Sequence, residues 1–463
     1  GCQAIFFECL PDEPEQASQA VAAANVARLK FYERWGARPM IGTAYETPVS
    51  PEDADAPHLV VDTLDSDQLP SRSWTRKVVQ AILERKYAHL CTPEYNRMVV
   101  NSFKDDPIRL RPFRYTKEGL PHPPPEPRTE PILLTINDRH EIHHIRERGY
   151  VEAPARISKI LEAVESTGWF EIRTPKEYPL RHITDVHDPA LVSYLRRASE
   201  EVGEERSLYP YVFPIRNKAR LPKERSVLAG YFCIDTFTPI HHNVFRAAKR
   251  AVDCTLMAAE ELLEGRRLAY SLVRPPGHHA ERTSFGGFCY FNNAAVAAHL
   301  LSKYGKVAIL DVDYHHGNGQ QDIFYSRADV LTISIHGHPR FAYPYFSGFE
   351  DEVGEGAGQG FNLNIPLPEK LDGKGHRAAL RKALERVRGF DPAFLIISLG
   401  LDPAKGDPTG TWTLATDDFR RNGDLVGELG LPTLIVQEGG YRTRTLGANA
   451  RAFFQGLQES APR

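Results

Sequence analysis

VAILDVDYHHGNG, residues 307–319, opens on four apolar residues (Val307, Ala308, Ile309, Leu310) with no polar alternation. That is the pattern of a strand covered on both faces in a parallel sheet. Asp311, Asp313, His315 and His316 follow within the next six residues. Carboxylates and imidazoles are costly to bury unless they are paired or hold a metal. At the end of a buried strand they stand on the rim of an open α/β sheet, where ligands bind. An Asp and a His two residues apart can converge on one cation once the chain leaves strand geometry. A strand closed by an ordinary polar turn is the competing reading.

From Pro131 onward strand and helix patterns alternate, which predicts a parallel sheet with helices on both faces. Strands are expected at 132–135, 268–273, 307–312, 330–335, 394–399 and 432–437. Helices are expected over 155–166, 189–200, 243–264, 293–304, 374–387, 416–429 and 446–457. Three more of these strands end in polar groups. The strand at 268–273 runs into RPPGHHA with His278 and His279, that at 394–399 into Asp402, and that at 432–437 into EGGY with Glu438 and Tyr441. Four such ends on one crevice are poorly explained as separate, satisfied core groups.

Asp313, His315 and Asp402 offer one nitrogen and two carboxylates, three ligands that leave a coordination position open, as catalytic metal sites do. A divalent ion there would acidify a bound water and polarise a carbonyl. His278 and His279 would stand beside that water as acid and base. Tyr441, after two glycines, would reach a developing oxyanion. These parts fit metal-assisted hydrolysis of an amide.

RPPGHHA (274–280), GGFCYFNNAAVAA (286–298), ILDVDYHHGNGQQDIFY (309–325) and VQEGGY (436–441) give residues 131–460 a specific resemblance to the zinc-dependent histone deacetylase and acetylpolyamine amidohydrolase family. The resemblance implies an arginase/deacetylase-like three-layer α/β/α fold with a mainly parallel sheet. In the family's pattern Asp313, His315 and Asp402 match the zinc ligands, a set that iron(II) and cobalt(II) also accept. His278 and His279 match the proton-transfer pair and Tyr441 the catalytic tyrosine. Gly287 matches the carbonyl that holds the substrate amide, Phe288 one wall of the acyl tunnel, and Phe346 best matches the other. Tyr343 stands nearby, either adding a hydroxyl to the rim or simply packing. Asp311 matches a residue that orients the first histidine and binds a structural potassium ion, and Ser334 matches another potassium ligand. Segment 334–368 points to the acetylpolyamine amidohydrolase and class II side of the family.

There are departures. Asn318 stands where class I relatives carry an Asp behind the second histidine, and Ser347 replaces a proline after the second tunnel wall. Thr409 occupies the position of the glutamate gatekeeper in polyamine-selective class II relatives, which weakens a polyamine assignment. The acidic run 350–355 is either a solvated loop or an attractor for a cationic tail. Gly317 replaces the third carboxylate of the DxHxD pattern of arginases, so a single metal is expected. The substrate implied is a small acetylated amine or an acyl-lysine, and the family's habits leave room for a homodimer.

The N-terminal part reads differently. A strand at 3–10, a helix over 18–35, strands at 38–46 and 58–64 and a helix over 74–90 are expected. The run AANVARLKFYERWGARPM, residues 23–40, resembles the C-terminal half of GNAT acetyltransferases, with Tyr32 at their general-acid position. Ala37 replaces the family's Phe, and the glycine-rich turn that would cradle a pyrophosphate is absent. Residues 1–111 are thus expected to be a partial GNAT-like α+β domain, and the seven prolines in 112–131 a semi-rigid linker to a deacetylase domain over 132–463. The chain opens at Gly1 ahead of a strand, which reads as a fragment or a processed product.

Composition excludes other classes. A net charge of −3 argues against a nucleic-acid-binding surface. No apolar run approaches the roughly 20 residues of a membrane span. Six scattered cysteines suit a reducing, cytoplasmic compartment. The alternatives are a non-catalytic reader of acylated ligands, whose mark would be lost catalytic residues, and a bifunctional protein with residual acetyltransferase activity.

Overall fold

The computed structural model describes residues 4–12, 19–34, 36–49, 56–63, 69–115, 131–204, 206–213 and 221–460. Contacts divide the chain into two compact units, Gly1–Pro124 and Pro125–Arg463. Of the linker expected at 112–131, residues 116–130 lie outside the described residues.

In the first unit β1 (Ile5–Cys9), β2 (Arg38–Pro39) and β3 (His58–Asp62) form an antiparallel sheet in the order β1-β3-β2. Successive β3 residues face opposite ways, as a strand requires. Leu59 and Val61 join Val79, Leu83, Val99 and Phe103, while Val60 meets Cys9 and Leu29. Tyr32 packs edge-on against Phe7, with ring centroids 4.7 Å apart. The strand expected over 38–46 keeps two ladder residues, since Gly42 at φ +75° turns the chain away. A helix at Pro93–Ser102 was not expected, although Thr92 caps it by accepting from the Tyr95 N–H and Pro93 opens it.

In the second unit β4 (Ile132–Ile136), β5 (Phe170–Arg173), β8 (Leu268–Leu272), β9 (Val307–Asp311), β10 (Val330–Gly337), β11 (Asn362–Leu367), β12 (Phe394–Leu399) and β13 (Thr433–Gln437) form one sheet. Its order is β11-β10-β9-β12-β13-β8-β4-β5, and every neighbouring pair is parallel. A separate two-stranded ribbon pairs β6 (Ser207–Leu208) with β7 (Ile240–His241). The two unexpected strands of the large sheet, β5 and β11, are its edges. FEIR and NLNIPL carry charge, Asn or Pro, which an edge tolerates and a two-sided interior does not.

The inner strands lack polar alternation because both faces are covered. Ala308, Leu310, Leu395 and Ile397 face one core with Ile160, Leu384, Phe453 and Phe454. Val307, Ile309, Ile396 and Val436 face the other with Leu195, Val252, Leu256 and Val296. Truncating one such fully buried Leu or Ile to Ala costs about 2–5 kcal/mol. The fold is therefore the three-layer α/β/α arrangement that the sequence implied.

Within the first unit Asp12, with a side chain 3% exposed, accepts from Arg111 at 3.0 Å, Arg114 at 3.1 Å and the Tyr115 hydroxyl at 2.6 Å. Burial pushes this carboxyl up, but Tyr115 and Arg111 outweigh it and hold Asp12 well below the usual range. A depressed folded pKa contributes stability that is fully present above the unfolded value of about 3.9 and is lost as pH falls below it. The full-length chain is expected to melt earlier as pH drops below about 4. Asp12→Asn should weaken that dependence and cost about 3 kcal/mol near neutral pH. Denaturant melts across this pH range, followed by circular dichroism, test both; identical profiles for the two proteins would contradict the assignment.

Candidate active site

β9, β12, β13 and β8 are consecutive neighbours in the sheet, so the four polar strand ends fall side by side. From β9 the chain runs outward through β10 to β11, then returns to β12 on the other side of β9. That reversal opens a crevice beyond the carboxyl ends of the strands. Asp313 follows β9 and Asp402 follows β12, so one carboxylate stands on each side of it.

There Asp313, His315 and Asp402 converge, with one ligand-type atom of each within 4.8 Å of the others. His315 Nδ1 lies 3.1 Å from Asp313 Oδ1 and 3.0 Å from Asp402 Oδ2. The outer lone pairs are taken by backbone donors: Gly439 N–H to Asp313 Oδ2 at 2.9 Å, and Tyr314 N–H to Asp402 Oδ1 at 3.0 Å. Both carboxylates are fully buried. Burial and the like charge of Asp313 push Asp402 up to about 7. Burial also acts on Asp313, but the His278 and His315 charges outweigh it and hold that group low. Two buried carboxylates and an imidazole aimed at one point are the donor set of a divalent cation, whose charge would relieve their repulsion. The residues present fit such an ion.

His278 and His279 lie beside these donors, ring centroids 3.9 Å apart and planes tilted by 40°. His278 Nδ1 is 3.0 Å from Asp311 Oδ2, and its Nε2 is 3.9 Å from Asp313 Oδ1. His279 Nδ1 is 2.7 Å from Asn318 Oδ1. The Asn318 amide N–H is committed to Glu281 Oε1 at 2.8 Å, so its oxygen must face the ring. His279 therefore donates from Nδ1 and keeps Nε2 as an acceptor. Burial, with the neighbouring His278 and His315 charges, lowers His279 well below its ordinary value. For His278 burial acts downward, but Asp313 and Asp311 outweigh it and raise it to about 10. The two adjacent imidazoles are thus biased in opposite directions.

Asp311 also accepts from Gln320 Nε2 at 2.5 Å and from the Asp313 N–H at 3.0 Å. A Cβ at Gly317 would sit 2.0 Å from Gln320 Nε2 and 2.3 Å from Asp311 Oδ2, so Gln320 holds the space a third carboxylate would need. Ser334 Oγ lies 2.8 Å from His336 Nδ1 and accepts from the Gly317 N–H at 3.3 Å. His316 is buried against His336, rings 4.4 Å apart.

Tyr441 follows Gly439 and Gly440 after β13. The Arg156 guanidinium lies 4.7 Å over its ring, and Phe288 packs edge-on at 5.6 Å. Burial pushes the phenol well above its ordinary value, so it keeps its proton to donate. Thr409, expected at the substrate rim, donates its hydroxyl to Asp407 Oδ1 at 2.9 Å.

Gly287, at φ +57°, passes so close to His279 that a Cβ would sit 2.1 Å from its Cδ2. Phe288 packs with Tyr150, Phe237 and Tyr441. Tyr343 stands edge-on to His279 at 4.7 Å and donates its hydroxyl to Asp235 Oδ2 at 3.0 Å. Phe346 remains 56% exposed. Asp235, which the sequence did not mark, also accepts from the Gly287 N–H at 2.6 Å. Arg156 and Asp407 were missed as well, and Glu438, marked as a polar strand end, had no role assigned to it. Arg156 sits inside an amphipathic helix and Asp407 in a turn, where neither type stands out. Glu438 accepts from the Gly277 and His278 N–H groups at 2.7 and 3.1 Å.

Residues 150–457 match the family described as the histone deacetylase domain. The chain is 41% identical over 340 residues to acetylpolyamine amidohydrolase 2 of Pseudomonas aeruginosa, covering 70% of this chain and 99% of that protein. It is 41% identical over 345 residues to acetylpolyamine amidohydrolase 1 of the same organism, covering 71% and 100%. The crystal structure of an acetylpolyamine aminohydrolase from Burkholderia pseudomallei superimposes with a TM-score of 0.68 at 37% identity, covering 72% of this chain and 100% of that one.

The donor set predicts a single tightly held divalent ion per chain. Metal analysis after dialysis is expected to find it in the unaltered protein and to lose it in Asp402→Ala. Undiminished retention in that variant would remove Asp402 from the ligands.

Proposed function

The chain belongs to the histone deacetylase domain family, and we propose that it is a metal-dependent hydrolase that releases acetate from an N-acetylated amine. The observation that carries this reading is the convergence, at four neighbouring strand ends, of the Asp313–His315–Asp402 donors with the His278–His279 pair. A divalent ion on those donors, zinc by family habit, supplies a polarised carbonyl and an acidified water.

His279 Nε2 takes a proton from the attacking water as its oxygen bonds to the acyl carbon. Asn318 holds the ring in the tautomer this requires. Tyr441 donates its hydroxyl to the oxygen that becomes negative. As the carbon–nitrogen bond breaks, His279 returns the proton to the leaving nitrogen, so that acetate and a free amine result. His278, oriented by Asp311, offers a second imidazole N–H to the reacting oxygens. The Gly287 carbonyl accepts the substrate amide N–H, and Phe288 and Tyr343 line the acyl-bearing stem. A structural potassium ion beside Asp311 and Ser334 is part of the same reading. The bases, donors and tyrosine are all present, which disfavours a non-catalytic reader.

The two Pseudomonas aeruginosa relatives are named for acetylpolyamines, which favours a small acetylated amine over an acylated protein. Zinc-loaded protein is expected to turn over at least one of acetylputrescine, acetylcadaverine, acetylspermidine and an acetyl-lysine peptide. His279→Ala and Tyr441→Phe should each lower kcat roughly 10²-fold or more. Turnover that survives both substitutions would refute the mechanism.

A further inference from the structure

Asp407 takes no part in the chemistry above, yet one oxygen of its buried carboxylate is given over to donors from the segment that carries Tyr441. Its side chain lies in a residue only 5% exposed. Oδ2 accepts from the Tyr441 N–H at 2.7 Å and the Arg442 N–H at 2.9 Å. Oδ1 accepts from the Thr409 N–H at 3.1 Å and its hydroxyl at 2.9 Å. We infer that Asp407 is the positioning residue that sets Tyr441 over the reacting carbonyl, an inference that rests on the assignment of Tyr441 as the oxyanion donor.

The backbone around Tyr441 needs such a clamp. Gly440 sits at φ +117°, a conformation open to glycine, so the segment can pivot at the residue just before the tyrosine. Its carbonyl side is held: Arg156 Nε donates to the Gly440 carbonyl at 2.7 Å, and the Leu401 N–H to the Gly439 carbonyl at 2.9 Å. The N–H groups of Tyr441 and Arg442, ahead of the helix Thr443–Ser460, are held by Asp407. A carboxylate in that place also suits the positive end of the helix.

Asp407 lies five residues after Asp402, so one loop carries both a cation donor and the anchor of the tyrosine. That common origin fixes the span between the cation and the phenol, on which bond polarisation from two sides depends. All four partners are donors. An asparagine would present its own N–H groups to one pair, so it can replace only half of the clamp.

The test is a double-mutant cycle on zinc-loaded full-length protein, with the best substrate of the panel above. Asp407→Ala is expected to lower kcat roughly 10²-fold while KM stays within about threefold. Bound metal should stay at the unaltered level, and Asp407→Asn should lie between the two. In a Tyr441→Phe background, Asp407→Ala should add little, because the hydroxyl it positions is already gone. Fully multiplicative losses, or loss of metal in Asp407→Ala, would overturn the inference. Should Asp407→Ala not fold, Asp407→Asn carries the same cycle. Near-normal turnover in Tyr441→Phe would instead refute the tyrosine's role, a failure distinct from that of Asp407.

Discussion

The second unit depends on one electrostatic constraint: two carboxylates, Asp313 and Asp402, fully buried and aimed at one point. Like charges in a low-dielectric site repel strongly, and each buried carboxylate also loses its hydration. Such a pair persists only where donors and a cation compensate it. The sheet supplies the frame, since β9 and β12 are adjacent parallel strands whose ends hold the two carboxylates on either side of the winding reversal. Backbone N–H groups of Tyr314 and Gly439 take the outer oxygens, and the inner ones, Asp313 Oδ1 and Asp402 Oδ2, face His315 Nδ1.

Around that centre the same device recurs. Asp235, Asp407 and Glu438 are buried carboxylates that accept backbone N–H groups from other segments, and buried Asp311 is met by the side chains of Gln320 and His278. Each ties down a loop that would otherwise have the freedom of its glycines. Glu438 fixes the turn before the histidine pair, Asp407 the turn before the C-terminal helix, and Asp235 the bend at Gly287. Hydrogen bonds to charged acceptors are stronger than neutral ones, which suits loops that must hold reacting groups to within a fraction of an ångström. The cost is desolvation, and all four sit where several donors meet the charge.

Much of this site was legible because its residues break local rules. VAILDVDYHHGNG sets acids and imidazoles directly after a two-faced apolar strand, and EGGY sets a tyrosine after two glycines; either alone could be a polar turn, but four such strand ends together could not easily be. The edge strands β5 and β11 escaped because one-sided pairing removes the apolar run that marks an inner strand. Thr409 shows the limit most clearly. Its position suggested the substrate rim, but its hydroxyl is directed to Asp407, an interaction that no spacing along the chain reveals.

By itself the sequence determined the alternation of strands and helices, the polar strand ends and the identity of the donors, because periodicity and the cost of burying charge are local properties. Gly317 likewise read as a missing ligand. Only the tertiary structure decided which strands are neighbours, and hence that Asp402 meets Asp313 across β9 and β12. It alone showed that Asp235 and Asp407 accept the backbone N–H groups of Gly287 and Tyr441. Those are contacts between residues far apart in the chain, set by sheet order and loop closure, and no local pattern encodes them.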